Sequence, residues 1–113
     1  MGMFLMRHAA VLLGLCAAWQ AAAATEPAPE RQRELVHLVR QDCGSCHGMQ
    51  FTGGLGLPLT PQALKERPFE GLVSTVYYGR PGTAMPPWKS IVTEEEAAWI
   101  VRQLLAGFPE DVQ

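Results

Sequence analysis

The sequence predicts a small all-α domain. Three stretches carry apolar residues at helical spacing, none alternates polar and apolar residues as a half-buried strand does, and glycine and proline break the intervening segments. The chain has 113 residues with 18% charged and a formal net charge of −2. It holds no lysine and arginine cluster, so the composition argues against a nucleic-acid-binding protein.

Residues 1–24 predict a secretory signal peptide, and residues 25–113 predict a single domain. Arg7 gives the positively charged start, Ala9–Trp19 is an uncharged apolar run, and alanines at 22–24 form a small-residue cleavage site. The alternative is an uncleaved anchor, but this run is shorter than the about 20 residues that span a membrane. We therefore expect a monomer exported to the periplasm, with no membrane attachment after cleavage.

The three cysteines cannot all pair in disulfides, because their number is odd. Cys16 lies inside the predicted signal peptide, and Leu15 before it is larger than the small residue that lipidation requires. We expect Cys16 to leave with the leader as a small apolar residue. Cys43 and Cys46 then remain in the domain.

A first helix is predicted from Glu30 to about Cys43. Its apolar residues fall near one face: Leu35, Leu38, Val39 and Cys43. We expect the polar residues of the other side to face solvent: Arg31, Arg33, Arg40 and Gln41. The segment 53–58 holds three glycines and a proline and cannot be regular structure. A short helix follows, with Thr60 as its cap and Pro61 at its first position.

Two further helices are predicted towards the end of the chain. One spans about Phe69–Tyr78 and stops at Gly79. A loop with three prolines covers 80–89, and Thr93 with Glu96 then forms a capping box for the last helix. The apolar stripe of that helix comprises Ala97, Ile100, Val101, Leu104 and Leu105.

The stretch 43–47 reads Cys-Gly-Ser-Cys-His, a C-x-x-C-H motif that predicts covalent attachment of one haem c. The thiols of Cys43 and Cys46 would add across the two haem vinyl groups, and His47 would ligate the iron. A thioredoxin-like pair would need a βαβ pattern, and a structural zinc site would need four ligands. A Cys43–Cys46 disulfide is the remaining alternative in an oxidising compartment.

The second axial ligand has three candidates in the domain: Met85, Met49 and His37. Met49 follows His47 by two residues and starts on the same side of the haem, whereas His37 points away from it on the first helix. Met85 lies in a proline-rich loop that can reach the opposite side, so we predict Met85 as the ligand. Two filled axial positions favour electron transfer over substrate chemistry, and we assign no catalytic residue.

Arg80 and Trp88 flank Met85 and are candidate hydrogen-bond donors to the haem propionates. For each of these two residues an alternative interpretation remains. Arg80 fits equally well as a solvent-exposed loop charge, and Trp88 fits as a cover for the haem edge.

The order of these features resembles the class I c-type cytochromes. The c55X-type periplasmic cytochromes associated with cytochrome cd nitrite reductase are similar in four segments: CGSCHGM, GGLG, LTPQAL and GRPGTAMPPW. The resemblance implies that the first and last helices cross over one haem, with Leu38 and Val39 against Trp99 or Leu104. It also implies an electron carrier of denitrification whose redox partner is nitrite reductase or the machinery of haem d maturation.

The sequence departs from the class I pattern at one point. A Gly-Pro-x-Leu stretch of that class has a proline carbonyl that accepts a hydrogen bond from the ligating imidazole. Here the stretch is Gly56-Leu57-Pro58-Leu59, so the acceptor is the carbonyl of Leu57 or of Pro58. Two other functions remain open: a haem enzyme or gas sensor with a labile axial site, and a membrane-held electron-transfer subunit.

Overall fold

A computed structural model of the chain describes residues 25–110, and the predicted signal peptide with Cys16 lies outside this range. The described residues form helices joined by loops, with no β-strand among them. Over the same range, no helix has both the length and the apolar character needed to cross a membrane. The prediction of an all-α fold is confirmed.

The first helical stretch runs further than the sequence predicted. Helix α1 (Pro29–Leu38) continues without a break into a π-helical turn (Val39–Cys43) and then into helix α2 (Gly44–His47). The whole C-x-x-C-H motif is therefore helical. Gly48 ends the stretch with a φ of 91°, which a residue with a side chain rarely adopts. Wide π turns of this kind often occur beside functional residues.

Two helices follow the glycine-rich loop. Helix α3 (Pro61–Leu64) starts where predicted, because the Thr60 side chain accepts a hydrogen bond from the backbone of the first turn. Helix α4 (Phe69–Tyr78) has the predicted bounds and ends at Gly79, where φ is 69°. Both local signals, the threonine cap and the glycine stop, are confirmed.

Helix α5 (Glu94–Ala106) begins at the predicted capping box. The backbone N–H of Glu96 donates to Thr93 Oγ1 at 3.1 Å, and the N–H of Thr93 donates to Glu96 Oε2 at 3.0 Å. The helix ends before Gly107, whose φ is 88°.

The core joins the first helical stretch to α4 and α5. The largest fully buried side chains are Leu35 and Val39 in the first helical stretch and Ile100 and Val101 in α5. The full cluster of buried apolar residues comprises Leu35, Val36, Val39, Phe51, Leu64, Val73, Val92, Ala97, Trp99, Ile100, Val101 and Leu104. Leu38 packs at the edge of this cluster, and Val39, Trp99 and Leu104, which the class I resemblance also assigned to the helix crossing, are all members of it. Each fully buried side chain of this kind contributes about 1.5–3 kcal/mol.

An ion pair connects α1 to α5 beside this core. Arg31 Nε donates to Glu96 Oε1 at 2.7 Å, and Arg31 Nη2 donates to Glu96 Oε2 at 3.1 Å. The Glu96 side chain is only 16% exposed. The hydrogen bond from Arg31 lowers the pKa of the Glu96 carboxyl below its usual value. The folded protein therefore favours the ionised carboxylate.

The expectation that Arg40 faces solvent was wrong, because its side chain is buried. The chain beyond α5 returns over this side of the π turn, and its backbone carbonyls need donors. Arg40 Nε donates to Pro109 O at 3.0 Å, and Arg40 Nη2 donates to Phe108 O at 2.9 Å. Helical spacing alone could not indicate this contact, since its partners lie almost at the other end of the chain.

Replacing Glu96 with glutamine tests the ion pair, because glutamine still completes the capping box. The lowered pKa of Glu96 stabilises the fold above the ordinary glutamate pKa, and this contribution is lost as pH falls through the folded pKa. We expect Glu96→Gln to lose on the order of 1 kcal/mol at neutral pH, allowing for the exposure of Arg31.

Urea unfolding of the haem-containing protein at several pH values measures this difference. The gap between wild type and Glu96→Gln should be constant from about pH 7 to about pH 5 and should narrow from there to about pH 3, as pH falls below the ordinary glutamate pKa. The control is Glu95→Gln, an exposed residue in the same helical turn. A gap that stays constant down to about pH 3 would contradict the assignment.

Candidate haem site

The two cysteines of the motif lie one helical turn apart, so their side chains share one side of the stretch. Cys43 is half-buried and packs against the core, Cys46 is exposed, and no disulfide joins them. Burial raises the pKa of the Cys43 thiol to about 12, with smaller contributions from Asp42 and Cys46. Cys43 is therefore a protonated thiol at neutral pH.

The imidazole of His47 is oriented by a backbone carbonyl. Its Nδ1 lies 2.7 Å from Leu57 O, and because a carbonyl can only accept, Nδ1 carries the proton and donates. Nε2 then keeps its lone pair, the form in which histidine ligates a metal. Of the two acceptors that the sequence left open, the structure selects Leu57 rather than Pro58.

A glycine makes room for the imidazole. A Cβ built on Gly56 would lie 2.5 Å from His47 Nδ1 and 2.6 Å from Cε1, so the ring packs directly on the Gly56 backbone. The Gly56 N–H donates to Cys46 O at 2.8 Å, and the Gly53 N–H donates to His47 O at 2.9 Å. The loop that looked irregular in the sequence is thus hydrogen-bonded to the last turn of the motif.

Phe51 closes this loop at both ends. Its N–H donates to Gly48 O at 2.8 Å, and its carbonyl accepts from the N–H of Leu59 at 2.9 Å. Its φ is 57°, a left-handed conformation that costs a residue with a side chain about 1–2 kcal/mol. The buried ring offsets this cost by packing against Arg40 and Phe108.

Met85 lies in a second loop, between α4 and α5. The loop is held to the end of α4, because the Arg80 N–H donates to Met85 O at 3.1 Å and the Trp88 N–H donates to Tyr77 O at 3.2 Å. A Cβ on Gly79 would lie 2.7 Å from Met85 O, so the loop packs on the Gly79 backbone. Met85 itself is half-buried.

The other two predicted residues occupy different environments in this loop. Arg80 is exposed, and Trp88 is half-buried against the core. The structure therefore gathers Cys43, Cys46 and His47 on one helical turn and places Met85, Arg80 and Trp88 in the later loop.

Sequence reasoning missed Arg40 and Phe51 as parts of this site. Arg40 was assigned to the solvent-exposed face of its helix. Phe51 lies in a turn, where the spacing of apolar residues does not predict which side chains are buried. The available signal was Phe108, a large apolar residue beyond the Gly107 stop, where a solvated tail would not need one.

The residues present fit a haem better than a metal ion that is bound only by protein side chains. Within the described part of the chain, no group of three or more His, Cys, Asp and Glu side chains is placed to hold a metal. The motif instead offers two thiols and one oriented imidazole with its Nε2 lone pair available. Exposed apolar side chains lie beside it, with Met49 and Leu57 each 54% exposed.

Comparison with known proteins identifies a family and relatives that are similar to this chain. Residues 30–102 match the profile of the family described as cytochrome c oxidase, cbb3-type, subunit III. Cytochrome c55X of Stutzerimonas stutzeri is 49% identical over 112 residues, which cover 96% of this chain and 99% of that protein.

Two solved structures are also similar. The structure titled c-type cytochrome NirC is 53% identical with a TM-score of 0.71, over 72% of this chain and 95% of that one. The structure titled dihydro-heme d1 dehydrogenase NirN in complex with DHE is 30% identical with a TM-score of 0.59. That match covers 68% of this chain but only 17% of the dehydrogenase.

The fold and these relatives define the protein as a class I c-type cytochrome, an electron-transfer protein rather than an enzyme. The chain belongs to the cytochrome c55X family. As a member of it, the chain is a monohaem electron carrier that binds haem c covalently.

An alanine at position 56 tests the packing under His47. The added methyl group would overlap the imidazole, and we expect Gly56→Ala to destabilise the haem-containing protein by about 1–3 kcal/mol. Thermal unfolding followed at the haem absorption band measures the change.

The matched control is Gly71→Ala. Gly71 lies inside α4, where the nearest atom to an added Cβ is 3.9 Å away, so alanine should be neutral or stabilise by up to about 1 kcal/mol. Equal stability of the two variants would show that Gly56 does not support the ring.

Proposed function

We propose that Cys43 and Cys46 hold the haem through thioether bonds and that His47 and Met85 are the axial ligands of its iron. Each thiol would add its sulfur and its hydrogen across one vinyl group. The observation that carries the proposal is the His47 to Leu57 hydrogen bond, which orients the imidazole and leaves Nε2 as the nitrogen that would bind iron.

The bound haem supplies an iron that cycles between the ferrous and ferric states. The residues around it would keep the two states alike in structure. Leu57 holds the imidazole in one orientation, and the hydrogen bonds of Arg80 and Trp88 hold the loop that carries Met85. His47 and Met85 would together fill both axial positions of the iron and leave none for a substrate or a gas, which favours electron transfer.

Arg80 and Trp88 complete the proposed site. We propose that the exposed guanidinium of Arg80 and the indole of Trp88 lie towards the propionates, where a cation and an N–H donor would offset their charge. Trp88 would also cover the haem edge, since its ring already packs against the core.

Replacing Met85 with alanine tests the second ligand. We expect Met85→Ala to lose the red-wavelength sulfur-to-iron charge-transfer band of the oxidised protein and to bind carbon monoxide rapidly when reduced. Methionine ligation raises the reduction potential, so the variant should also have a lower potential. Absorption spectra and spectroelectrochemistry measure these changes.

The matched control is Met49→Ala, since Met49 is 54% exposed and follows His47 by only two residues. It should keep the charge-transfer band. Rapid carbon monoxide binding by the wild-type protein at neutral pH would instead favour the gas-sensor alternative.

We propose that this carrier serves nitrite reduction in the periplasm, as a monomer delivered by the signal peptide at 1–24. The support is the similarity to the c-type cytochrome NirC, which extends over 95% of that protein. The redox partner of this carrier would be nitrite reductase of the cytochrome cd type. Contact between the two would be small and transient, as is usual for redox encounters.

A second role is favoured by the dehydrogenase match. A unit similar to this chain forms 17% of dihydro-heme d1 dehydrogenase NirN, an enzyme named for its substrate, dihydro-heme d1. Removal of two hydrogens from that substrate releases two protons and two electrons, and a one-haem carrier accepts one electron at a time. Two molecules of this cytochrome would therefore be reduced for each molecule oxidised during maturation of haem d1.

Stopped-flow mixing separates these roles. The reduced cytochrome should be oxidised rapidly by cd-type nitrite reductase if it feeds nitrite reduction. The oxidised cytochrome should be reduced by the dehydrogenase with its substrate if it serves maturation. Slow transfer in both assays, with fast transfer to a terminal oxidase, would rule out the denitrification role.

A further inference from the structure

A buried cation lies next to the haem motif and has no part in the proposed ligation. Arg40 is 8% exposed and occupies the π turn that leads into Cys43. A buried charge is costly unless it is well hydrogen-bonded. Arg40 donates to Phe108 O and twice to Pro109 O, at 2.8–3.0 Å, and Glu110 Oε1 lies 3.5 Å from its Nη2.

The same guanidinium faces two aromatic rings. Its carbon lies 4.8 Å from the ring centroid of Phe51 and 5.6 Å from that of Phe108, within the range of attraction between a cation and a π system. The two rings also meet each other edge to face, with centroids 5.5 Å apart. Arg40 thus contacts the tail through its hydrogen bonds and the haem loop through its guanidinium, which lies over the Phe51 ring.

Phe51 connects this cluster to the imidazole. Its carbonyl accepts the N–H of Leu59, and two residues earlier the carbonyl of Leu57 accepts the proton of His47 Nδ1. Phe51 has a left-handed backbone, a strained conformation that the packing of its ring against Arg40 and Phe108 helps to hold. A change at Arg40 would therefore act on the loop segment that carries the acceptor of the His47 hydrogen bond.

We propose that Arg40 is a positioning residue of the haem site, which holds Phe51 and through it sets the strength of the hydrogen bond between His47 and Leu57. The inference rests on the proposed ligation by His47. A stronger bond at Nδ1 makes the imidazole a better donor to iron and stabilises the ferric state, so Arg40 would lower the reduction potential by this route.

Arg40→Lys tests the inference, because lysine keeps the positive charge but loses the flat face and the forked donors. Its matched control is Arg33→Lys, an exposed arginine of α1. Two readouts on the haem-containing proteins address His47 directly: the exchange rate of its Nδ1 proton in the reduced state by NMR, and the reduction potential.

We expect Arg40→Lys to speed Nδ1 proton exchange at least tenfold. We also expect a rise of about threefold to tenfold in the equilibrium constant for reduction, where tenfold corresponds to about 59 mV for one electron. Arg33→Lys should match wild type in both readouts. Lower thermal stability of Arg40→Lys with both readouts unchanged would overturn the inference and leave Arg40 as an anchor of the tail alone.

A second variant guards against failure of Arg40→Lys to fold. Phe51→Leu keeps an apolar side chain but removes the ring that Arg40 faces, and it should shift both readouts in the same direction. Unchanged readouts in this variant would also overturn the inference. Failure of the proposed His47 ligation is distinguishable from failure of this inference. If His47 does not ligate the iron, a His47→Ala protein retains the wild-type absorption spectrum.

Discussion

The hydrogen bond of 2.7 Å from His47 Nδ1 to Leu57 O is the constraint on which the loop around the haem motif depends. An imidazole held at that distance needs a residue without a side chain beneath it, and Gly56 provides this. The loop must then turn back towards the motif, and the Gly53 and Gly56 N–H groups bond to its last turn. A segment without regular secondary structure is thus held at several points by backbone hydrogen bonds.

The packing between the helices and the two loops around the haem motif are stabilised in different ways. Apolar burial dominates between the first helical stretch and α5, with the Arg31 and Glu96 pair at its edge. The two loops rely instead on backbone hydrogen bonds and on close approach at Gly56 and Gly79. A chain this small has a limited core, so a large covalently bound apolar group adds what the helices alone cannot supply.

Local signals predicted much of this structure. The Thr93 and Glu96 capping box, the stop at Gly79 and the haem motif all depend on residues within a few positions of one another, so the sequence displays them directly. The burial of Arg40 and the choice of Leu57 as acceptor depend on segments that meet only after the chain has folded. Periodicity assigned Arg40 to solvent because it carries no information on the returning tail.

The hydrogen bonds from Arg40 to the carbonyls of Phe108 and Pro109 have a consequence for cooperativity. A buried arginine is costly without these acceptors, so the π turn reaches its final packing only when the tail lies against it. The segment that leads into the haem motif and the end of the domain therefore become ordered together, although they are far apart in the sequence.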